Sequence, residues 1–425
     1  MKNNWRDNNK VDLLINGEEF YPRVFECIGN AKKEVIVETF IIYEDKVGHQ
    51  LQQALIKAAR NGARVEFTVD DYGTWDLSTD FVKAMTDSGV KLHIFDPQPK
   101  LLGVRLNLFR RLHRKIVVVD REIAFIGGIN YSADHLMDAG KKAKQDYAVE
   151  LHGPVVADVY RTCLRLSLQE LNRKEQKARL RAVEEETARP AGDTKVLLVE
   201  RDNIAHKKDI EQQYLLAIRL AKKRLIIANA YFFPRYYFLL SLRRATMRGV
   251  DVTLIMQGQP DMPWVSALSR LLYKYLLRSN VKIYEYHQRS LHGKIALMDD
   301  EWSTVGSSNL DPLSFSLNLE ANVIIQDRDF NKKIDAHLQE LIEQHCHKID
   351  LDVAQRGYWW RVPLIFISFY FLRVFPSIAG WLPAHAPTFK HILPKRRFWS
   401  KKTAQPSAEN NGDNPIKTYD KESVS

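Results

Sequence analysis

The chain has little of what would tie it to an oxidising compartment or to the interior of a membrane. Its three cysteines, Cys27, Cys163 and Cys346, are far apart and odd in number. That excludes a disulfide framework or a thiolate metal cage and favours a reducing compartment. The opening MKNNWRDNNK has no apolar core, so no secretory signal is expected. The uncharged run near the C-terminus, Val362 to Leu372, is 11 residues long, well short of the about 20 that cross a bilayer. Acids are the minority, 52 Asp and Glu against 63 Lys and Arg, a net charge of +11. Such an excess suits an anionic partner and admits nucleic acid and acidic lipid equally. What is present is core material: 425 residues, 45% hydrophobic and 10% aromatic, enough for two or three packed domains and against wholesale disorder.

An internal repeat organises that material. AKKEVIVETFIIY (31–43) is echoed by AKKRLIIANAYFF (221–233), NGARVEFTVDDYG by RGVDVTLIMQG, and VKLHIFDP by VKIYEYHQ. A period near 180 residues is too long for a solenoid. It predicts two similar α/β domains, each alternating strands and helices around a mixed sheet. The expected boundaries are 1–171 for the first domain and 194–350 for the second. A charged linker fills 172–193, an aromatic and basic segment 351–402, and a polar, disordered tail 403–425.

The strongest signal is the duplicated motif LHRKIVVVDREIAFIGGIN (112–130) and LHGKIALMDDEWSTVGSSN (291–309). His113, Lys115, Asp120, Gly127 and Asn130 match His292, Lys294, Asp299, Gly306 and Asn309 at identical spacing. Alternation along a strand puts each histidine and lysine on one face and gives each aspartate the opposite parity. The aspartates therefore belong to the motif set of candidate catalytic residues but are expected to serve structure. The glycines allow a tight turn, after which each asparagine brings an amide donor back towards its histidine. A lysine beside each histidine repels a cation, so no metal is expected; together they make a nest of donors for a phosphate.

This pattern resembles the phospholipase D superfamily over most of residues 10–350. LLINGEEFYPRVFECIGNAKKEVIVETFIIYEDKVG and the regions around both motifs are similar to the bacterial cardiolipin synthases, in the B-type without N-terminal membrane spans. The resemblance implies two domains related by a pseudo-twofold axis, with one active site at their interface. It implies that one histidine attacks a phosphodiester while the other protonates the leaving alcohol, with no cofactor. The nucleophile is more often in the first motif, which assigns it to His113, with His292 as acid and base; the sequence alone does not order them. Lys115, Lys294, Asn130 and Asn309 would hold the phosphate oxygens. An acidic residue after each motif, Asp146 and Glu320, would orient its histidine. The family's Gly-Ser is Gly127-Gly128 in the first motif, so a phosphate-binding hydroxyl is implied only at Ser307.

The implied reaction transfers a phosphatidyl group between phosphatidylglycerol molecules, giving cardiolipin and glycerol. The expected partner is an anionic phospholipid membrane rather than nucleic acid, and the expected place is peripheral, on the cytoplasmic side of the inner membrane. Two sequence features agree with this. Trp359, Trp360 and Trp381 with Arg356, Arg361 and Arg373 bracket the C-terminal apolar run, and Lys390, Lys395, Arg396, Arg397, Lys401 and Lys402 follow. That composition suits an interfacial anchor, with a re-entrant hairpin broken at Pro376 or a buried helix as alternatives. The first repeat also has about a dozen extra residues around PKLLGVRLNLFRR, either a lipid-touching lip of the cleft or an ordinary loop. A hydrolytic phospholipase, a nuclease and a non-catalytic lipid-binding protein remain open at this point.

Overall fold

The motif strands Lys115–Val119 and Lys294–Met298 are buried at every position in the computed structural model. Both faces of each strand are covered, which explains an unbroken apolar run where alternation would mark a half-exposed strand. Ile116 and Val118 pack with the helix Val155–Ser167, while Val117 and Val119 face the helices Asn16–Gly29 and Lys46–Arg60. In the second repeat Ile295 and Leu297 pack with the helix Arg328–His345. Ala296 and Met298 face the helices Asp209–Leu220 and Tyr236–Met247. The structure describes residues 4–74, 77–97, 100–101, 104–105, 111–168, 174, 189–260, 269–352 and 389–392.

The repeats share one sixteen-stranded mixed sheet. From its middle outwards, the first repeat contributes Arg6–Ile15, Tyr147–His152, Ile123–Gly127, Lys115–Val119, Glu34–Thr39, Arg64–Asp70 and Lys91–Phe95. The second contributes, in the same order, Thr194–Arg201, Glu320–Gln326, Trp302–Gly306, Lys294–Met298, Arg224–Asn229, Asp251–Gln257 and Lys282–Tyr286. The halves join where Arg6–Ile15 runs antiparallel to Thr194–Arg201. Within each half the last three strands are parallel, which requires crossover helices between them. The motif strand is antiparallel to this trio, so each motif begins at the end of the sheet where the parallel strands finish.

Each motif aspartate starts the hairpin that follows its strand. Asp120 and Asp299 have positive φ of 51°, a conformation a short polar side chain tolerates better than most. The Asp120 carboxylate accepts the backbone N–H groups of Lys32, Lys33 and Glu34 at 2.7–2.9 Å. Asp299 does the same for Lys222, Lys223 and Arg224 at 2.8–3.0 Å. Each aspartate thus fixes the neighbouring strand in register from the end of the motif strand opposite its histidine.

Within the segment 351–402, Phe389–Ile392 adds an edge strand antiparallel to Lys91–Phe95. From the extra loop of the first repeat, Lys100–Leu101 and Val104–Arg105 form a small two-stranded hairpin. The rest of that insert, most of the 172–193 linker, the aromatic run and the tail lie outside the described residues. Among the described residues no helix is long and apolar enough to cross a membrane.

Asp120→Ala or Asp299→Ala removes three charge-assisted bonds and is expected to lower stability by about 2 kcal/mol, with turnover per folded molecule largely kept. Thermal and denaturant unfolding beside activity measures this; unchanged stability with lost turnover would place the aspartates in the chemistry.

Candidate active site

The two motifs meet through backbone staples that cross between the repeats. The His113 N–H donates to Leu319 O at 3.0 Å, and the Leu319 N–H donates to Arg111 O at 2.9 Å. On the other side, the His292 and Gly293 N–H groups both donate to Gln145 O at 2.8 Å. Ser290–Leu291 pairs in parallel with Lys144–Gln145. Each histidine is therefore stitched to the residue just before the acidic group of the opposite repeat.

That stitching decides which carboxylate holds which imidazole. His113 Nδ1 lies 3.0 Å from Glu320, and His292 Nδ1 lies 2.5 Å from Asp146. The expectation that each acid orients the histidine of its own motif is corrected: the pairs cross between repeats. With Nδ1–H directed to a carboxylate, Nε2 of each ring keeps its lone pair. The lysines share the same buried space. Lys115 Nζ donates to His113 O at 2.7 Å. Lys294, 0% exposed, donates to His292 O and lies 3.0 Å from His292 Nδ1. The Phe40 ring, 5.0 Å from the His113 ring and 5.3 Å from Lys115 Nζ, forms an apolar wall on this side.

The repeats differ at the residue after the first motif glycine. Ser307 Oγ donates to Glu320 at 2.5 Å and accepts the Ala321 N–H at 3.1 Å. Its hydroxyl is thus committed to the carboxylate, which corrects its expected place on the phosphate. At Gly128 a Cβ would lie 2.3 Å from Asp146 Oδ1. Aspartate is one methylene shorter than glutamate, so its carboxylate lies where a serine would have to be. Glycine pairs with aspartate and serine with glutamate. Gly127 and Gly306 are also needed for close approach and not for a turn: a Cβ there would lie 2.4 Å from Tyr147 O and from the Asn322 side chain. Asn130 Oδ1 accepts the Ile41 N–H at 3.2 Å. Asn309 is equally buried, and its Oδ1 has no donor among the described residues.

His135 is a neighbour that the motif reading missed. It is fully buried, its ring centre is 5.6 Å from that of His292, and its Nδ1 is 3.8 Å from Asp146 Oδ2. Its Nε2 accepts the Asn130 N–H at 3.3 Å, which leaves the proton on Nδ1, facing Asp146. The position matching it in the second motif is Ser314, so the signal was a histidine present in one repeat only. His135, Asp146 and His292 are the metal-ligand types that lie close together among the described residues. Lys294 and Lys144 press positive charge on them, so the site favours an anion over a cation.

Electrostatics set the protonation states. Burial drives His113 down to about 4, with Lys115 and Lys294 adding to it against the pull of Glu320. Burial, followed by Lys294, Lys144, Lys115 and His113, holds His292 well below the ordinary imidazole range. Burial and then Lys294 bring Lys115 down to about 7. Glu320 stays below the usual carboxylate range although burial opposes it, because His113, Lys115 and the Ser307 hydroxyl favour its charge. Groups from each repeat thus act on groups of the other. An anion between the lysines would relieve their repulsion, the setting that in-line displacement at a phosphodiester uses.

In the free enzyme His113 must be neutral and Lys115 charged. His292, neutral in the free enzyme, must also gain a proton as the phosphate binds, so kcat/KM for a phosphodiester is expected to fall below about pH 4 and to have its alkaline limb no higher than about pH 7. Bound phosphate raises Lys115 again, so the alkaline limb of kcat lies at higher pH. An alkaline limb of kcat/KM in the ordinary lysine range would contradict this. Glu320→Gln keeps a hydrogen-bonding side chain but loses the charge facing His113, and is expected to lower kcat roughly a hundredfold with little change in KM. Steady-state kinetics decides it, and a KM-only effect would contradict the role.

Comparison with known proteins meets this geometry. The family described as "Cardiolipin synthase, PLD-like domain" matches residues 24–164 and 214–342, once in each repeat. The chain is 49% identical over 417 residues to Cardiolipin synthase B of Salmonella typhi, covering 98% of this chain and 100% of that protein. It is 33% identical over 336 residues to Cardiolipin synthase A of Pseudomonas aeruginosa (strain LESB58), covering 78% of this chain and 66% of that protein. Among solved structures, phosphatidylserine synthase of Haemophilus influenzae Rd KW20 has a similar fold, with a TM-score of 0.62 at 15% identity over 87% of this chain and 94% of that one. With a matched domain in each half, crossed histidine pairs between them and full-length similarity, the chain belongs to the cardiolipin synthase family of phospholipase D-like proteins.

Proposed function

We propose that the chain is a phosphatidyltransferase that makes cardiolipin from two molecules of phosphatidylglycerol. The observation that carries this reading is the pair of buried imidazoles, each oriented through Nδ1 by a carboxylate of the opposite repeat, in a full-length relative of cardiolipin synthases.

In the first step His113 Nε2 attacks phosphorus and the bond to the glycerol oxygen breaks. His292, protonated once the phosphate has entered, gives its proton to that oxygen, and glycerol leaves. The intermediate is a phosphatidyl group on His113. In the second step His292 takes the proton from a hydroxyl of another phosphatidylglycerol. That oxygen attacks phosphorus, the P–N bond breaks, and His113 returns to its starting form. Lys115 and Lys294 hold the non-bridging oxygens throughout, with Asn130 and Asn309 beside them. One phosphodiester replaces another, so no nucleotide need supply energy. Water is the competing acceptor, and burial of the histidines and the Phe40 wall disfavour its entry.

The reading extends to a peripheral enzyme on the cytoplasmic side of the inner membrane, with anionic phospholipid as partner. It rests on the net charge of +11 and the aromatic and basic C-terminal composition.

Incubation of the purified chain with phosphatidylglycerol vesicles and a chelator, with products resolved by mass, is expected to give cardiolipin and glycerol. His113→Ala should reduce this to background, and His292→Ala should lower it by roughly 10²–10⁴-fold. Phosphatidic acid as the main product would make the enzyme a hydrolase; nucleotide release from DNA with no lipid product would overturn the reading.

A further inference from the structure

Of the eight large apolar side chains exposed among the described residues, Leu220 and Met247 close helices at the end of the sheet where the parallel strands begin, Ile204 follows Thr194–Arg201, and the other five share one end. Tyr43 and Tyr72 follow the strands Glu34–Thr39 and Arg64–Asp70, and Tyr236 and Tyr237 follow Arg224–Asn229. Met137 lies in the segment after Ile123–Gly127. All five therefore leave the sheet at the end where His113 and His292 begin their strands, and both repeats contribute. Tyr237 is 76% exposed, while Tyr72, 44% exposed, stacks on Phe40 and has the Arg111 guanidinium over its ring. The Tyr43 N–H donates to Tyr131 O, one residue beyond Asn130. The Phe233 N–H donates to Leu310 O, one residue beyond Asn309. These backbone bonds seat the bases of both tyrosine segments against the two halves of the catalytic mouth.

The second repeat departs from the first at one of these segments. Where the first has Glu44-Asp45-Lys46, and Asp45 caps the helix Lys46–Arg60 with its side chain, the second has Pro234-Arg235-Tyr236. The helix Tyr236–Met247 has no side-chain cap. The cap position is taken by Arg235, which pairs with Glu211 and Ser316, and Lys46 and Val47 are replaced by adjacent tyrosine rings whose centres are 6.3 Å apart. Tyrosine, with an apolar ring and a polar tip, suits the boundary between water and lipid. The charge around the mouth points the same way. The exposed acids Glu44 and Asp138 are engaged by Ser78 and by Lys46, whereas Lys141 and Lys142 are exposed beside Met137.

We infer that this tyrosine-ringed mouth is the face by which the protein docks on an anionic bilayer, with Tyr236 and Tyr237 as its main anchor. The inference rests on the proposed lipid reaction and adds the orientation that reaction needs. Both substrates enter and the product leaves without crossing water, because the histidines open towards the surface that holds the lipids. Lys141 and Lys142 meet headgroup phosphates, and the rings settle among the glycerol esters.

The test uses the full-length protein, so the C-terminal segment is present in every arm. Tyr236→Ser/Tyr237→Ser is expected to weaken sedimentation with phosphatidylglycerol vesicles roughly tenfold and to lower vesicle turnover in step. On a short-chain phosphatidylglycerol kept below its aggregation concentration, turnover should stay within about twofold of wild type. Lys141→Ala/Lys142→Ala should weaken binding to phosphatidylglycerol vesicles but not to phosphatidylcholine vesicles. Unchanged vesicle binding by the tyrosine variant would overturn the docking face and assign the membrane contact to the C-terminal segment. Equal losses on the dispersed substrate would overturn it too, placing the tyrosines in the site or the fold. Normal binding by a wild type that turns over neither substrate would overturn the proposed reaction instead, since sedimentation does not depend on turnover.

Discussion

Two buried imidazoles, each held through Nδ1 by a carboxylate of the other repeat, are the constraint on which the rest of the molecule depends. Burial alone would leave both rings neutral and free to turn. The crossed pairs, His113 with Glu320 and His292 with Asp146, fix the tautomer and aim both Nε2 atoms away from the carboxylates. The lysines then set what the space accepts. Two ammonium groups this deeply buried repel each other, and Lys115 is brought down to about 7 by burial and by Lys294. A phosphodiester anion removes that repulsion. In the proposed reaction, substrate binding and the return of a proton to an imidazole are thus one electrostatic event.

The fold follows from the need to hold those pairs without slack. A single sheet running through both repeats makes their relative position a matter of strand pairing rather than of a soft domain contact. The motif strands are sealed on both faces, and their far ends are fixed by Asp120 and Asp299 on backbone amides of the next strand. The near ends are stitched across the axis at Leu319 and Gln145. The pseudo-symmetry is exact enough to build one site from two motifs, yet it is broken where chemistry differs. Ser307 supports Glu320, whereas Gly128 makes room for Asp146, with His135 alongside.

Much of this was legible in the sequence because the signal was doubled. A repeated His-x-Lys-x4-Asp with a trailing Gly and Asn fixes two strands, their facing side chains and the parity of the aspartates from alternation alone. Long-range pairing was not legible. Which acid meets which histidine depends on two loops meeting across the axis, and nothing in the local pattern of KQDYAVEL or LNLEANVII encodes that. Reading Ser307 as a phosphate ligand failed for the same reason, since its partner Glu320 lies on a neighbouring strand. His135 left a trace only as a mismatch between the repeats. The edge strand Phe389–Ile392 was hidden because four residues carry no period and the surrounding composition suggested lipid.

The crossed pairing can be read directly from the downfield Nδ1–H resonances of the two active-site histidines in selectively labelled protein. Glu320→Gln is expected to shift or remove the His113 resonance and leave that of His292, while Asp146→Asn does the reverse. If each substitution instead acts on the histidine of its own repeat, the carboxylates are not shared across the axis, and the crossed pairing is wrong.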